Sequence, residues 1–214
     1  MPFIITDGTT TVKPDATLDA MRASFYPCEA AAWYQITLTS GALTGVAAGT
    51  ANLVWALRQL DTSLLLVRRI GWSWLTTTGY TAAQYQDFAV SGARSYTVSS
   101  SGGTAWSNAS NNNKIRTSLA APTSIDLRIA TTAALTAGTY TADSNVFGQQ
   151  GCNNAAGTAG GYVPMTYVLD QGPGDYPLVL AQNEGIIIYP VTAMGAAGVG
   201  TLTVTIEVAQ AAAF

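Results

Sequence analysis

The chain has 214 residues, of which 48% are hydrophobic and only 10% charged, and its formal net charge is −3. The hydrophobic fraction excludes a disordered chain, and the acidic balance argues against a nucleic-acid partner held through its phosphates. A surface with so little charge is either buried against partners or covered by Thr, Ser, Asn, Gln and small residues, as is common in large assemblies.

The N-terminal region contains two short predicted elements. Residues 3–6 read as a short β segment, and residues 15–24 as a short helix capped by Asp15 or Thr17. An arm that reaches onto a neighbouring molecule is the alternative for this region. We therefore predict an N-terminal arm over residues 1–24 and a single β domain over residues 25–214.

The middle of the chain begins with clear β patterning. Residues 33–39 alternate between apolar and polar side chains and are rich in β-branched and aromatic types. Two apolar runs follow at residues 53–57 and 64–70, and we predict two strands, with one long helix across both as the alternative. The adjacent Arg68 and Arg69 are interpreted as an edge or rim feature rather than a phosphate clamp.

The next segments mix predicted helix, loop and strand. Residues 81–90 are predicted to form a helix, because Thr81 suits a cap and the following Ala and Gln residues favour helical turns. Residues 99–113 and 148–161 are predicted to be long polar loops, since they are rich in Gly, Ser and Asn. Ile125–Ile129 alternates between apolar and charged residues, which predicts a half-buried strand.

The C-terminal third is the most regular part of the sequence. Strands are predicted over residues 162–169, 177–181, 186–193 and 201–208, the last two as a pair around the loop at 195–200. Ten or so short strands with turn signals between them, and at most two short helices, predict an all-β fold: a β-sandwich or jelly roll.

Several residue patterns typical of catalytic and metal-binding sites are absent from the sequence. The chain contains no histidine, so a Ser-His-Asp triad is excluded and a zinc site is disfavoured. The acidic residues lie mostly at turns and form no evident catalytic pair. Cys28 and Cys152 are expected to be free thiols, with a disulfide as the alternative. We expect no enzyme activity, no cofactor, no metal and no membrane span.

Four segments resemble virion structural proteins of tailed bacteriophages. They are the runs at residues 111–119, 125–141, 177–188 and 202–208. The similarity extends over about residues 51–208. It lies in short local sequence segments and not in a catalytic motif. It implies a capsid-associated β-sandwich of the decoration (cement) type, forming homotrimers bound to the major capsid protein in a particle assembled in the host cytoplasm.

Two sets of contact residues follow from these interpretations. For the decoration protein, Phe3, Ile4 and Ile5 are candidate subunit or shell contacts through strand addition to a neighbour's sheet; pairing within their own sheet is the equal alternative. For a tail or head-fibre module that binds host glycan, the stacking candidates are Trp72, Trp74, Tyr80 and Trp106. Core packing is the favoured interpretation of the segment from Trp72 to Tyr80.

Overall fold

The computed structural model of the chain describes residues 5–6, 11–12, 33–108, 113–115, 122–171 and 177–211. These residues form strands, turns and loops and contain no helix. Every strand pairing among them is antiparallel. The predicted all-β fold class is therefore confirmed.

The chain divides into two compact units, residues 1–30 and residues 31–214. In the first unit, β1 (Ile5–Thr6) pairs with β2 (Thr11–Val12) and places Ile5 opposite Val12. The predicted helix over residues 15–24 lies outside the described residues, and so does the predicted boundary between an arm and a domain. Both stay predictions.

One sheet of the second unit contains seven strands. They are β3 (Tyr34–Thr39), β4 (Leu43–Thr44), β7 (Leu64–Thr78), β10 (Asn113–Lys114), β14 (Tyr162–Asp170), β15 (Leu178–Leu180) and β17 (Val199–Ala211). The order across the sheet is β10-β3-β17-β7-β14, with β4 beside β17 and β15 beside β7. The two longest members, β7 and β17, thus lie next to each other at the centre.

The other large sheet contains six strands in the order β13-β8-β16-β6-β11-β9. In chain order they are β6 (Trp55–Gln59), β8 (Gln84–Val98), β9 (Thr104–Ala105), β11 (Ile125–Ile129), β13 (Thr139–Asn154) and β16 (Gly185–Pro190). A separate small pair is formed by β5 (Asn52–Leu53) and β12 (Leu135–Thr136).

The two large sheets pack face to face across an aromatic core. Trp72 and Trp74 project from β7 toward Phe88 of β8, with ring centroids 5.5 Å and 4.9 Å from that of Phe88. All three side chains are almost completely buried. Burying such large apolar surfaces is the main favourable contribution to folding. The architecture is a β-sandwich; the more specific jelly-roll connectivity stays a prediction.

The six-stranded sheet is buried on both faces at its central strand β16. The consecutive residues Ile186 and Ile187 of β16 point to opposite faces, yet both are fully buried. β13, the edge strand of this sheet, has a register against β8 that shifts repeatedly. At one such shift the Ser91 hydroxyl donates to the Asp143 carbonyl at 3.0 Å. Near another, the Tyr140 ring packs 4.8 Å from that of Tyr96.

Two predictions for the middle of the chain are confirmed. The apolar runs beginning at residues 53 and 64 are strands rather than one helix, and the second continues through the tryptophans to Thr78. The strand Ile125–Ile129 has the predicted bounds, with its apolar side chains buried and its charged ones half-buried. In that strand Arg128 Nε bonds Asp126 at 2.9 Å.

Three local predictions are wrong. The segment 81–90 forms no helix, because it pairs with β13 from Gln84 onward and also with β16 from Phe88 onward. The predicted loop over 148–161 begins as strand, since β13 continues to Asn154. The last two predicted strands do not pair with each other: β16 belongs to the six-stranded sheet and β17 to the seven-stranded sheet. The chain crosses between the sheets after Pro190.

Candidate interaction face

The outward side of the seven-stranded sheet carries a block of threonines. In β17 the buried side chains of Leu202 and Val204 alternate with Thr201, Thr203 and Thr205. Since successive side chains of a strand point to opposite faces, the three threonines lie on the side of the sheet away from the core. Thr201 and Thr203 are half-buried there, whereas Thr205 is only 5% exposed. The outer side of the sheet at its central strand β17 is therefore composed of threonine side chains.

The neighbouring strand β3 extends this block across the sheet. Thr37 lies opposite Thr205, and Thr39 lies opposite Thr203. Their Oγ1 atoms are hydrogen bonded in pairs, at 2.9 Å for Thr37–Thr205 and 3.0 Å for Thr39–Thr203. β-Branched side chains are already stiff at χ1, and these cross-strand bonds restrict them further. The accessible part of the block, formed by Thr37, Thr39, Thr201 and Thr203, is therefore a preorganised surface of methyl and hydroxyl groups.

Strands β7 and β14 add larger side chains to the same side. Tyr162 lies opposite Leu75, and these side chains are 58% and 42% exposed. Tyr167, 37% exposed, lies opposite Gly71. A Cβ atom at Gly71 would lie 2.8 Å from Cδ1 of Tyr167, so a glycine is needed where the tyrosine ring passes over β7.

We call this surface the threonine face. It consists of Thr37, Thr39, Ser73, Leu75, Tyr162, Tyr167, Thr201, Thr203 and Thr205. All of its members are uncharged.

One end of the threonine face is bounded by an ion-pair cluster. The register between β7 and β17 shifts next to Glu207, so that Arg68 and Arg69 together stand beside this one residue. A β-bulge of this kind turns adjacent side chains toward the same partner. Arg68 bonds the Glu207 carboxylate through Nε at 3.0 Å and Nη2 at 2.5 Å, and Arg69 Nη1 lies 3.6 Å from it.

Each arginine of this cluster also contacts an aromatic ring. The Arg68 guanidinium lies 5.1 Å from the Trp33 ring centroid, and that of Arg69 lies 4.8 Å from Tyr167, distances typical of cation–π contacts. Arg69 also bonds Asp170 at 2.7 Å, and this hydrogen bond raises the pKa of Arg69 while burial acts in the opposite direction. Both cations are thus neutralised within the fold, in agreement with a rim feature rather than a phosphate clamp.

The predicted contact residues of the N-terminus are only partly described. Ile5 lies in β1 and pairs with Val12 of the same chain. Phe3 and Ile4 lie outside the described residues. The pairing of Ile5 with Val12 corresponds to the alternative in which this segment pairs within its own sheet. Strand addition to a neighbouring molecule stays a prediction.

The predicted glycan-stacking set is wrong for three of its four members. Trp72, Trp74 and Tyr80 are at most 1% exposed, so no ligand can lie against their rings. They fill the core, which was the favoured interpretation of that segment. The fourth member, Trp106, is half-buried and packs against the hydrophobic core.

The described side chains form no candidate metal site. Within those ranges no cluster of three or more Cys, Asp or Glu side chains could hold a metal ion. Cys152 is a free thiol whose pKa is raised by burial, and Cys28 lies outside the described residues. The described part also holds no helix long and apolar enough to cross a membrane.

The threonine face could be predicted from the sequence only in part. The alternating threonines of residues 201–205 and of residues 37–39 are visible in the sequence. The pairing of these two segments is not visible, because Thr39 and Thr203 are 164 positions apart and nothing local specifies the register between their strands.

Comparisons with known proteins give no assignment: no family model, no curated protein and no solved structure matches the chain.

Proposed function

We propose that the chain is a structural protein of a tailed-bacteriophage particle, a decoration protein bound to the outside of the capsid shell. It acts as a homotrimer whose partners are its own copies and the major capsid protein. It is located in the virion after assembly in the host cytoplasm, and it stabilises the shell without catalysing a reaction.

The threonine face is the observation that carries this proposal. None of its own side chains is charged, so burying the face against another protein avoids the cost of desolvating a charge on these side chains. Its β-branched side chains have little rotamer freedom to lose. Leu75 and Tyr162 offer exposed apolar surface, which favours association at about 25 cal/mol per Å² buried. A charged-residue fraction of only 10% is consistent with a protein whose surface is largely buried against other proteins.

Trimer symmetry restricts how the face is used. Contacts around a three-fold axis are heterologous, so a patch on one copy meets a different patch on the next. The threonine face therefore contacts either a second, dissimilar surface of the neighbouring copy or the capsid shell. The charged cluster of Arg68, Arg69 and Glu207 lies at the rim, where paired charges contribute to specificity and orientation more than to affinity.

The carboxylates support a role without catalysis. A glycosidase needs two acidic groups that face a substrate. In the described part of the chain each carboxylate is instead held by an arginine, a hydroxyl, an amide or a backbone N–H. These residues are Asp61, Asp87, Asp126, Asp143, Asp170, Glu184 and Glu207.

The proposal is tested by counting copies in purified particles. Quantitative mass spectrometry of virions of the encoding phage should find the chain in a fixed ratio to the major capsid protein, with a copy number divisible by three. A few copies per particle, in fractions enriched for tails, would instead support the fibre module that binds host glycan. Absence from purified virions contradicts both.

A further inference from the structure

Several connections between the two large sheets meet at one end of the sandwich. At this end β7 finishes and β17 begins, with Thr78 opposite Val199. We call these connecting segments together the loop end. They are residues 40–51, 79–83, 155–161 and 191–198, with residues 130–134 beside them. Every residue of the loop end is uncharged, and most are alanine, glycine or threonine.

The opposite end of the sandwich carries charge. Its connections contain Asp61, between β6 and β7, and Glu184, between β15 and β16. The ion-pair cluster on β7 and β17 lies in the halves of these strands that are nearest to that end. Among the described residues, the charge nearest to the loop end in sequence is Arg128, and Asp126 pairs with it at 2.9 Å. Charge is thus segregated away from the loop end.

Backbone hydrogen bonds join the segments of the loop end into one layer. From N–H donor to carbonyl acceptor, bonds that link one segment to the next are Gly157 to Tyr80 at 2.7 Å, Thr81 to Ala196 at 3.1 Å, Met194 to Val46 at 2.8 Å and Thr44 to Thr132 at 3.1 Å. The side chains of Tyr80, Val46 and Met194 are part of the buried core and anchor three of the segments. The loop end is therefore preorganised and has little backbone freedom to lose on binding.

The exposed side chains of the loop end are largely methyl groups. Exposed alanines of this surface include Ala48, Ala82, Ala83, Ala156, Ala196 and Ala197. An alanine side chain has no rotamer entropy to lose, and burying its methyl group is favourable. Contact with another protein therefore costs this surface little.

Given the homotrimer proposed above, on which this inference rests, we propose that the loop end lies at the three-fold axis and contacts the loop ends of the other two copies. Groups close to a rotation axis meet their own symmetry copies. A charge at that place would face like charges, which is unfavourable. A dissimilar partner such as the shell could instead offset a charge with an opposite one, so the absence of charge favours identical partners.

The loop end is continuous with the threonine face. Tyr162 directly follows the segment 155–161, and Leu75 lies at the end of β7 that leads into the segment 79–83. Both side chains belong to the threonine face and are exposed. Copies that meet at the loop end therefore also bring part of the threonine face close to the axis.

The test introduces charges of either sign at Ala196, whose segment is bonded to two others. Ala196→Glu and Ala196→Lys should each raise the concentration at which the full-length trimer dissociates by at least about tenfold, because either charge meets its own copies. An equimolar mixture of the two variants should associate again, since opposite charges then meet. Native mass spectrometry, with one variant isotopically labelled, should detect trimers that contain both.

Ala181→Glu is the matched control, because this exposed alanine lies between β15 and β16 at the charged end. It should leave the trimer unchanged. The axis position is overturned if both Ala196 variants form trimers as stable as those of the wild type, or if their mixture fails to associate. Variants that stay trimeric but no longer bind shells would overturn it in favour of a shell contact. A wild-type protein that is monomeric at all concentrations would overturn the homotrimer itself.

Discussion

The Glu207 carboxylate, in a residue 5% exposed, accepts two hydrogen bonds from the Arg68 guanidinium, at 3.0 Å and 2.5 Å. The neighbouring Arg69 lies farther away, at 3.6 Å, and is held mainly by Asp170. Although the two arginines are adjacent in sequence, they have unequal roles. Arg68 compensates a buried charge, whereas Arg69 joins a more exposed pair.

This inequality predicts unequal costs of substitution. Arg68→Ala leaves the buried Glu207 without its main partner, so we expect the free energy of unfolding to fall by about 2–3 kcal/mol. Arg69→Ala should cost only about 1 kcal/mol or less. Urea denaturation of the two variants measures both values. Equal losses of unfolding free energy in the two variants would show that Arg68 and Arg69 contribute equally to stability, contrary to this prediction.

The aromatic contact between the sheets gives a second prediction. Phe88 is fully buried against two tryptophans. Phe88→Ala should therefore lower the free energy of unfolding by about 3–5 kcal/mol through lost burial and the cavity left behind. Val98→Ala on the same strand, where the side chain is 57% exposed, is the matched control and should change stability by at most about 0.5 kcal/mol. A loss at Phe88 no larger than at Val98 would contradict the packing of β7 on β8.

Two tyrosines, the buried Tyr80 and the half-buried Tyr140, predict a loss of stability at high pH. Burial raises the pKa of Tyr80 and of Tyr140 from 10.0 to about 12. Because the folded state holds these protons more tightly than the unfolded state, their contribution to stability is complete below pH 10 and is lost as the pH rises toward 12.

Ultraviolet absorbance of the phenolate measures this effect directly. The titration should contain a late component near pH 12, which shrinks in Tyr140→Phe and again in the double variant with Tyr80→Phe. Urea denaturation repeated across the same pH range should show stability falling in parallel. A single step near the ordinary tyrosine value, with no late component, would rule out the burial of these hydroxyls.

The threonine face predicts a charge-sensitive association. Leu75→Glu places a carboxylate at the centre of this uncharged surface, where burial would require its desolvation. We expect the proposed trimer to be absent from native mass spectra of this variant, or binding to the shell to be lost if the face contacts the shell instead. Val98→Glu introduces the same charge on the six-stranded sheet and should alter neither property. Loss of both properties in both variants would indicate a general effect of charge.

The strands most readily predicted from sequence are those with one buried face. In Ile125–Ile129 the apolar side chains are buried and the two charged ones pair with each other, so the pattern of period two is plain. The alternating threonines of β17 are equally visible. At such positions burial alone determines the choice of side chain.

The errors arose where both faces of a strand are covered. β8 is buried over most of its first half, including Gln86 and Asp87, so its sequence alternates little and its Ala and Gln residues favoured a helix. Pairing with strands on both sides overrode that local preference. In β13, Gly151 lies in the polar run 148–161 that the sequence predicts to be a loop. A Cβ there would lie 2.3 Å from the Gln86 carbonyl oxygen, so the glycine is required by close approach of the partner strand.

The threonine face depends on long-range register, because it joins residues 37–39 to residues 201–205. A shift by one residue would turn the threonines of β17 inward. Composition indicates that an uncharged surface exists, but only the pairing of distant strands determines where it lies.

The most direct test of the proposed decoration role is co-sedimentation of the purified protein with empty capsid shells of a phage whose genome encodes it. We predict saturable binding of the wild type, at a copy number per shell divisible by three, with an increase in the temperature at which the shells disrupt. Wild-type protein that stays in the supernatant as a dilute monomer, and leaves shell stability unchanged, would contradict the account.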